Sequence, residues 1–308
     1  MTHTRRQMLK SIGVAALVPS MPFARPKGSR YPIAFSTLGC PKWEWKTILK
    51  QASELGYMAI ELRGIQGEMD LTKRPEFAGE RLKESLKDLN ALDLRISDLG
   101  ASAHLHDPDA AKRAAQMDEA KRFIELAQRM KVPYVRVFGD KLVQGEAKQV
   151  TVDRIIASLK ELGKFSKGSG VKVLMETHGD FPDSATNLQI MKGVSLPEVG
   201  LLWDTHHTFV TGKEQPAETF GKLGRYVGHV HLKDSIPEGQ EVRYVLVGSG
   251  KVPVHEIVRV LAQGHYKGYY GYEWEKAWHP EIEEPEVAFP HYAKVMGQYL
   301  SEAGVKPA

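Results

Sequence analysis

The chain has 308 residues, 42% hydrophobic and 26% charged, which is typical of a globular protein. Three of its 42 basic residues, Arg5, Arg6 and Lys10, lie in the first 24 positions, which contain no acid, so the rest of the chain carries 39 basic and 38 acidic residues. Such a nearly neutral body argues against the basic stripe that nucleic-acid binding needs. The single cysteine, Cys40, excludes an intramolecular disulfide.

The first predicted element is a leader. Arg5 and Arg6 precede an uncharged, mildly apolar run over residues 11–18, which is the layout of a secretory signal, and the paired arginines resemble the twin-arginine type. The run is too short to span a bilayer, and no other segment approaches the ~20 apolar residues of a membrane helix. We therefore predict a signal peptide and leader over residues 1–28 and an exported, periplasmic protein without a membrane span. A disordered basic leader is the alternative.

Eight short apolar runs follow, separated by longer amphipathic stretches. Each run is rich in β-branched and aromatic side chains and is bounded by polar or glycine-containing turns, as in strands buried on both faces. The predicted strands are 32–35, 58–62, 94–99, 134–138, 171–176, 199–203, 227–232 and 269–274, and helical spacing recurs over 43–55, 109–130 and 153–165.

Repeated strand–helix units imply a parallel sheet of the α/β class. We predict a single (β/α)₈ TIM barrel over residues 29–308. An open doubly wound sheet is the alternative, but residues 36–41 after the first strand contain no G-x-G-x-x-G phosphate loop.

Acidic and imidazole side chains stand at the ends of four consecutive strands, where such a barrel builds its active site. They are Glu176, Asp204, His231 and Glu273. Burying three carboxylates together is costly unless a positive charge lies among them. We predict that these four side chains bind one divalent cation, with a structural ion-pair network as the alternative. The oxygen-rich set makes Mn²⁺ the first choice, ahead of Mg²⁺, Co²⁺ and Zn²⁺.

The two-residue period of a strand helps to choose the ligands from among neighbouring residues. His229 and His231 share a face, and His231 is nearer the carboxyl end, so His229 is left as a core histidine or as a partner of the site. Glu275 shares a face with Glu273 and is left to loop contacts or a salt bridge. Arg136, inside the fourth strand, is expected to pair with a carboxylate such as Glu61. His104, just after the third strand, is expected to bind substrate.

These motifs resemble the xylose isomerase-like barrel superfamily, specifically the sugar phosphate isomerase/epimerase group, from residue 31 to about residue 300. The resemblance rests on the order and spacing of Glu61-Leu62-Arg63, Glu176-Thr177-His178, Asp204-x-x-His207, His231-Leu232-Lys233-Asp234 and Glu273-Trp274-Glu275-Lys276. It implies the same four metal ligands. It also implies that Glu176 and Glu273 form the catalytic acid/base pair on opposite faces of the substrate, and that His207 holds a substrate oxygen.

The chemistry expected from such a site is proton transfer. Removing a proton next to a carbonyl leaves an enediolate, which a metal stabilises, while one carboxylate takes the proton and another returns it. We predict an isomerase or epimerase of a small-molecule carbohydrate. Export, together with the lack of a clear phosphate cradle apart from the weak candidate Gly248-Ser249-Gly250, favours an unphosphorylated sugar, keto-sugar or cyclitol.

One departure leaves other reactions open. Ketose epimerases of the family follow the strand-seven histidine with Gly-Glu, whereas Lys233 and Asp234 bring this chain closer to inosose dehydratases. Elimination is therefore the main alternative, with Lys233 as a substrate-binding residue. The alternative for Lys233 and Asp234 is a surface pair at the end of the strand, with no part in the reaction. An endonuclease IV-like enzyme and a non-catalytic sugar-binding barrel are disfavoured by the neutral charge and by the complete ligand set. A homo-oligomer is left open.

Overall fold

The barrel closes as the strand pattern predicts. The computed structural model describes residues 29–308, so the predicted leader over residues 1–28 lies outside the described residues. Eight parallel strands form the barrel: β1 (Ile33–Ser36), β2 (Ala59–Leu62), β3 (Arg95–His104), β4 (Tyr134–Phe138), β5 (Lys172–Glu176), β6 (Val199–Asp204), β7 (Val227–Leu232) and, after two strands outside it, β10 (Tyr270–Tyr272). β1 pairs with both β2 and β10, which completes the ring and confirms the predicted (β/α)₈ barrel.

Within residues 29–308, eight α-helices surround the strands. They are α1 (Trp45–Glu54), α2 (Gly79–Ala91), α3 (Ala110–Met130), α4 (Lys148–Ser166), α5 (Ser184–Val194), α6 (Pro216–Leu223), α7 (Val254–Gln263) and α8 (Pro285–Glu302). The predicted helix 109–130 differs from α3 only at its first residue, because Asp109 is the cap whose carboxylate accepts hydrogen bonds from the amides of Ala111 and Lys112. None of the helices within residues 29–308 is long and apolar enough to cross a membrane.

A β-hairpin that the sequence pattern did not predict separates β7 from α7. Its strands, β8 (Asp234–Glu238) and β9 (Glu241–Val245), are antiparallel and are joined by the two residues Gly239 and Gln240. Gly239 has a φ of +64°, which suits the tight turn of a two-residue hairpin loop. Since the hairpin follows the carboxyl end of β7, it lies at the mouth of the barrel, where active-site loops are found.

Two glycines make room inside the barrel for long polar side chains. A Cβ atom at Gly100 would lie 2.7 Å from Cδ of Arg63 and 2.8 Å from Nη2 of Arg136. A Cβ atom at Gly271 would lie 3.0 Å from Nε2 of His229. Barrel interiors are usually filled by branched apolar residues. Here the glycines allow arginine and histidine to occupy that space instead.

Candidate metal centre and active site

The four predicted metal ligands meet at the carboxyl end of the barrel. Glu176 ends β5, Asp204 ends β6, His231 lies in β7 and Glu273 follows β10. All four are buried, and one ligand atom of each lies within 4.8 Å of those of the other three. The parallel register contributes directly, because Asp204 pairs with His231 across β6 and β7.

The spacing of the donor atoms fits a bound cation. Nδ1 of His231 lies 3.3 Å from Oε1 of Glu176 and 3.2 Å from Oε2 of Glu273. Donors held at about 2.0–2.2 Å from one ion are separated from each other by about 3.0–3.5 Å. The residues present therefore fit a divalent metal site that places Nδ1 of His231 beside two carboxylates.

The other ring nitrogen of His231 is used by a residue of β2. Nε2 lies 2.7 Å from Oε2 of Glu61, and we assign the Nε2 proton to this hydrogen bond, which leaves the Nδ1 lone pair for an ion. Oε2 of Glu61 is also 3.3 Å from Nε2 of His229, and that nitrogen is 3.3 Å from Oδ1 of Asp98. His229 is thus a buried residue connected to His231 through Glu61.

The two buried acids linked to His229, Glu61 and Asp98, have pKa values that are shifted in opposite directions. It would raise the pKa of Glu61, but the charges and hydrogen bonds of His231 and His229 hold that pKa well below its usual range. For Asp98, burial and the neighbouring charge of Glu61 raise the pKa to about 7. The sequence analysis missed Asp98, although a lone acid inside the apolar run 94–99 was a visible signal.

Lys233 lies inside the acidic cluster. Its ammonium group is 2.9 Å from Oδ2 of Asp204 and 2.7 Å from Oε1 of Glu275, and it also contacts Oε2 of Glu273. The residue is only 1% exposed, so the alternative of a surface pair with Asp234 is wrong. The contact with Glu275 is the salt bridge that was one of the two options for that residue.

Asp234 faces away from the cluster. Its carboxylate accepts hydrogen bonds from the amides of Gly248 (2.9 Å), Gly250 (2.8 Å) and Val252 (3.0 Å). Asp234 therefore holds the loop that precedes α7. The same bonds occupy the glycine amides that made residues 248–250 a weak candidate for binding phosphate.

Arg136 pairs with a carboxylate, but the partner is Glu176 and not Glu61. Its Nε lies 3.2 Å from Oε2 of Glu176, and both side chains are 1% exposed. The strand register explains this choice of partner. Phe138 is opposite Glu176 across β4 and β5, so Arg136, two residues before Phe138, is the diagonal neighbour of Glu176 on the same face. Glu61, in contrast, is already held by two histidines.

Charge balance also favours a cation. Among the described residues, seven carboxyl groups are buried, namely Glu61, Asp98, Glu176, Asp204, Asp234, Glu273 and Glu275, against four lysine and arginine side chains, Arg63, Arg136, Lys233 and Lys276. With a pKa of about 7, Asp98 is largely protonated below neutrality. Six carboxylates then face four cations before the histidines are counted. Burial alone would lower the pKa of His231, but the charges of Glu273, Glu61 and Glu176 raise it, so without an ion the imidazole takes up a proton that a bound cation would replace.

Three histidines, His207, His178 and His104, lie between the buried cluster and solvent. Side-chain exposure rises from 1% at Glu176 to 19% at His207, 34% at His178 and 38% at His104. His207 is next to the cluster, with Nε2 3.7 Å from Oδ2 of Asp204 and its ring packed against His178. His104 lies farther out, 3.2 Å from Asp140, a residue that the sequence analysis did not single out.

Comparison with known proteins identifies the family of the chain. The sequence model of the family described as "Xylose isomerase-like TIM barrel" matches residues 49–294. The chain is 24% identical over 235 residues to fructoselysine 3-epimerase from Shigella flexneri, an alignment that covers 71% of this chain and 81% of that protein. It is 28% identical over 163 residues to an inosose dehydratase from Clostridium botulinum, which covers 47% of this chain and 52%, or about half, of the dehydratase.

The same fold is found in a solved structure. A xylose isomerase-like TIM barrel protein from Mycobacterium smegmatis, solved in complex with magnesium, superposes with a TM-score of 0.68 at 19% identity, over 90% of this chain and 98% of that one. The proteins that match the sequence are thus enzymes of two kinds, an epimerase and a dehydratase.

Proposed function

The chain belongs to the xylose isomerase-like TIM barrel family, and on that premise we propose that it is a metal-dependent isomerase or epimerase of an unphosphorylated sugar, keto-sugar or cyclitol. The reaction is proton transfer at a carbon next to a carbonyl. One observation carries the proposal: Glu176 and Glu273 reach the same imidazole of His231 from different strands, each beside its own cation. That cation is Arg136 for Glu176 and Lys233 for Glu273.

We assign one divalent ion to Glu176, Asp204, His231 and Glu273. The donor spacing, the excess of buried carboxylates and the magnesium in a structurally similar protein support an ion here. Three of the four donors are carboxylates, which makes Mn²⁺ our first choice, with Mg²⁺, Co²⁺ and Zn²⁺ as alternatives. When bound, the ion supplies positive charge that stabilises an enediolate.

The two glutamates act as base and acid. Burial alone would raise the pKa of Glu176, but the charges of Arg136 and His231 lower it. Burial would likewise raise the pKa of Glu273, and the charges of His231 and Lys233 hold it well below its usual range. Both are therefore ionised at neutral pH, so either can take a proton from the face of the carbon next to it. The second glutamate, after gaining a proton from solvent, delivers that proton to the opposite face, and the first glutamate releases its own proton to solvent.

His207 and Lys233 act on the substrate's oxygens. His207 borders the opening of the site, and its partly exposed ring suits a hydrogen bond to a substrate hydroxyl. Lys233 holds Asp204 and Glu273 in place, and we assign its ammonium as a donor to a substrate oxygen inside the cluster. His104, the most exposed of the three histidines between the buried cluster and solvent, contacts Asp140 and not the four-residue cluster in the ion-pair contacts of the described residues.

Elimination is the second candidate, and the Lys233–Glu275 pair favours it. The pKa of Glu275 is raised because burial outweighs the opposing charge of Lys233. This shift favours the protonated form of Glu275, and in that form the carboxyl group would donate its proton to a departing β-hydroxyl, which leaves as water, with the ammonium of Lys233 2.7 Å away. A relative that is an inosose dehydratase agrees with this alternative.

The test is an assay of metal-loaded protein in D₂O with a panel of sugars, 3-keto-sugars and cyclitols. Deuterium at the substrate carbon together with an isomeric product supports isomerisation, and deuterium with loss of water supports elimination. Protein stripped with a chelator is the control and should be inactive. Turnover without deuterium incorporation would reject proton transfer at carbon altogether.

We also propose that residues 1–28 direct the protein out of the cytoplasm by the twin-arginine route and that the barrel domain starts at about residue 29. The paired Arg5 and Arg6 before an uncharged run support this assignment. Export agrees with an unphosphorylated substrate, because sugar phosphates are scarce outside the cytoplasm.

A further inference from the structure

A second group of ligand-type side chains lies on the rim of the barrel mouth, outside the cluster around His231. His104 ends β3, His106 lies two residues later and Asp140 follows β4. One ligand atom of each lies within 4.8 Å of those of the other two. His178, from the loop after β5, adds a third imidazole, with Nδ1 3.7 Å from Oδ1 of Asp140.

One ring nitrogen of each histidine in this group is buried and forms no hydrogen bond within residues 29–308. Among the described residues, nothing donates to or accepts from Nδ1 of His104, His106 or His178 in hydrogen-bond geometry. Nδ1 of His104 is 3.2 Å from Oδ2 of Asp140, yet the contact is too poorly aligned to be a hydrogen bond. Two donors of one ion have this relation, because they lie side by side about 3.0–3.5 Å apart and direct their lone pairs at the ion.

The backbone at Asp140 is held in an uncommon conformation. Its φ is +66°, in the left-handed region that a residue with a Cβ rarely adopts. The loop after β5 fixes it there, since the amide of Asp180 donates to the carbonyl of Asp140 at 2.7 Å. A Cβ at Gly179 would lie 2.1 Å from that carbonyl oxygen, so the close approach needs glycine. Strain that the surroundings enforce in this way is concentrated at functional sites.

Residues outside this group also hold His104 and His106 in position. The amide of His104 donates to Oε1 of Gln116 at 2.8 Å, and its ring stacks on Phe138. The carbonyl of His106 accepts a hydrogen bond from Arg154 at 2.8 Å. Such support from outside the donor set orients ligands before an ion arrives.

The charged groups around Asp140 leave room for a cation. Within residues 29–308, the charged-group contacts of Asp140 are with these histidines and not with a lysine or arginine.

We propose that His104, His106, Asp140 and His178 form a second divalent-cation site at the mouth of the barrel. Three imidazoles and one carboxylate favour a borderline ion such as Zn²⁺ or Co²⁺ over Mg²⁺ or Mn²⁺. This assigns His104 to a cation instead of a substrate hydroxyl. The inference goes beyond the proposed reaction and does not depend on it, because it uses none of the four residues of the inner site.

The experiment counts ions. Metal-free full-length protein is loaded with Zn²⁺ alone or Co²⁺ alone, passed through a desalting column and analysed for metal per chain, with the visible spectrum of Co²⁺ as a second readout. We expect two ions per chain in the wild type. His104→Ala and Asp140→Asn should each hold one ion and keep the inner site, while His231→Ala should lose the inner ion and keep the rim ion.

The control is His265→Asn. His265 is exposed and precedes β10, so it lies at the opposite end of the barrel, and its replacement should leave two ions. Thermal unfolding checks that each variant folds, and His106→Ala replaces any variant that does not. A single ion in the wild type that both His104→Ala and Asp140→Asn retain, or two ions in both of these variants, would overturn the rim site. A single ion in the wild type that is lost in His104→Ala and Asp140→Asn but kept in His231→Ala would instead count against the proposed function alone.

Discussion

Nε2 of His231 lies 2.7 Å from Oε2 of Glu61, and both side chains are 1% exposed. This contact decides how His231 faces the cluster. With Nε2 donating to Glu61, the ring presents Nδ1 to Glu176 and Glu273. Glu61 is therefore a positioning residue that acts through His231, and it touches no other member of the four-residue cluster in the ion-pair contacts described above.

Glu61→Gln should weaken metal binding while all four ligands remain. The amide keeps the size of the side chain but loses the charge that orients His231 and makes it more basic, and losses of about 10–100-fold in metal affinity are typical of such changes. Competition between the protein and a chelating dye for Mn²⁺ measures the effect. Glu54→Gln, at an exposed position of α1, is the control, and equal affinities in the two variants would contradict the role of Glu61.

Lys233→Met should destabilise the metal-free protein strongly. Removing the ammonium leaves Asp204, Glu273 and Glu275 buried without their shared cation, and breaking a buried pair in this way costs about 3–5 kcal/mol. Denaturant unfolding with and without saturating Mn²⁺ measures the loss, and the ion should restore part of it. Lys222→Met is the matched control, because Lys222 pairs with Glu218 on the exposed face of α6. Similar stability in both variants would refute the argument.

The fold and the inner site were predictable for the same physical reason. Parallel strands buried on both faces leave continuous apolar runs, and their carboxyl ends must converge, so Glu176 and Asp204 could be assigned to one site from their positions alone. Contacts that depend on neighbours in space were not predictable. Arg136 pairs diagonally with Glu176 only because of the β4–β5 register. The hairpin strand β8 is polar and contains Pro237, so it lacks a strand pattern.

Asp140 shows the same limit. It lies in a loop without periodicity, and it acquires partners only when the fold brings His104 and His178 from the ends of two other strands beside it. Lys233 could be noticed in the sequence, but its place inside the cluster became clear only from its contacts with acids of two other segments, Asp204 and Glu273.

Asp98 should make stability depend on pH. It faces Glu61 from β2, His229 and His231 from β7 and Arg136 from β4, and its pKa of about 7 exceeds the value of about 3.9 in an unfolded chain. The folded protein thus holds this proton more tightly. The resulting stability is complete below about pH 4 and is lost as the pH rises through about 7.

Asp98→Asn removes this ionisation. Relative to the wild type, the variant should gain on the order of 2 kcal/mol in unfolding free energy between pH 5 and pH 8, measured with the metal saturating. Asp118→Asn, at an exposed position of α3, is the control. A difference between variant and wild type that is the same at both pH values would show that Asp98 does not titrate in this range.

Residues 1–30 should carry a fused reporter out of the cytoplasm of the native host. Because the twin-arginine route reads the arginine pair itself, changing both Arg5 and Arg6 to lysine should retain the reporter inside, although the charge is unchanged. Cell fractionation measures the distribution, with the unfused reporter as control. A fusion that stays in the cytoplasm would mean that residues 1–28 are only a basic leader and not an export signal.

The division of work between Glu176 and Glu273 is the most direct test of the chemistry. They lie on strands separated by β6 and β7, so they approach a central ligand from different sides. Glu176→Gln and Glu273→Gln keep the size of the side chain but abolish proton transfer, and each should lower kcat by about 10²–10⁴-fold, or more if the metal is disturbed. Deuterium exchange at the substrate carbon, followed in each variant with the metal saturating, separates removal of the proton from its return.

His207→Ala is the contrast to the two glutamine variants. Since His207 borders the opening and is assigned to a substrate oxygen, its loss should raise KM with a smaller fall in kcat. Wild-type exchange rates in both glutamine variants would mean that neither glutamate is the base. The buried Lys233, whose ammonium contacts Glu273 and Glu275, and His178, whose ring packs against His207, would then be the groups to test next.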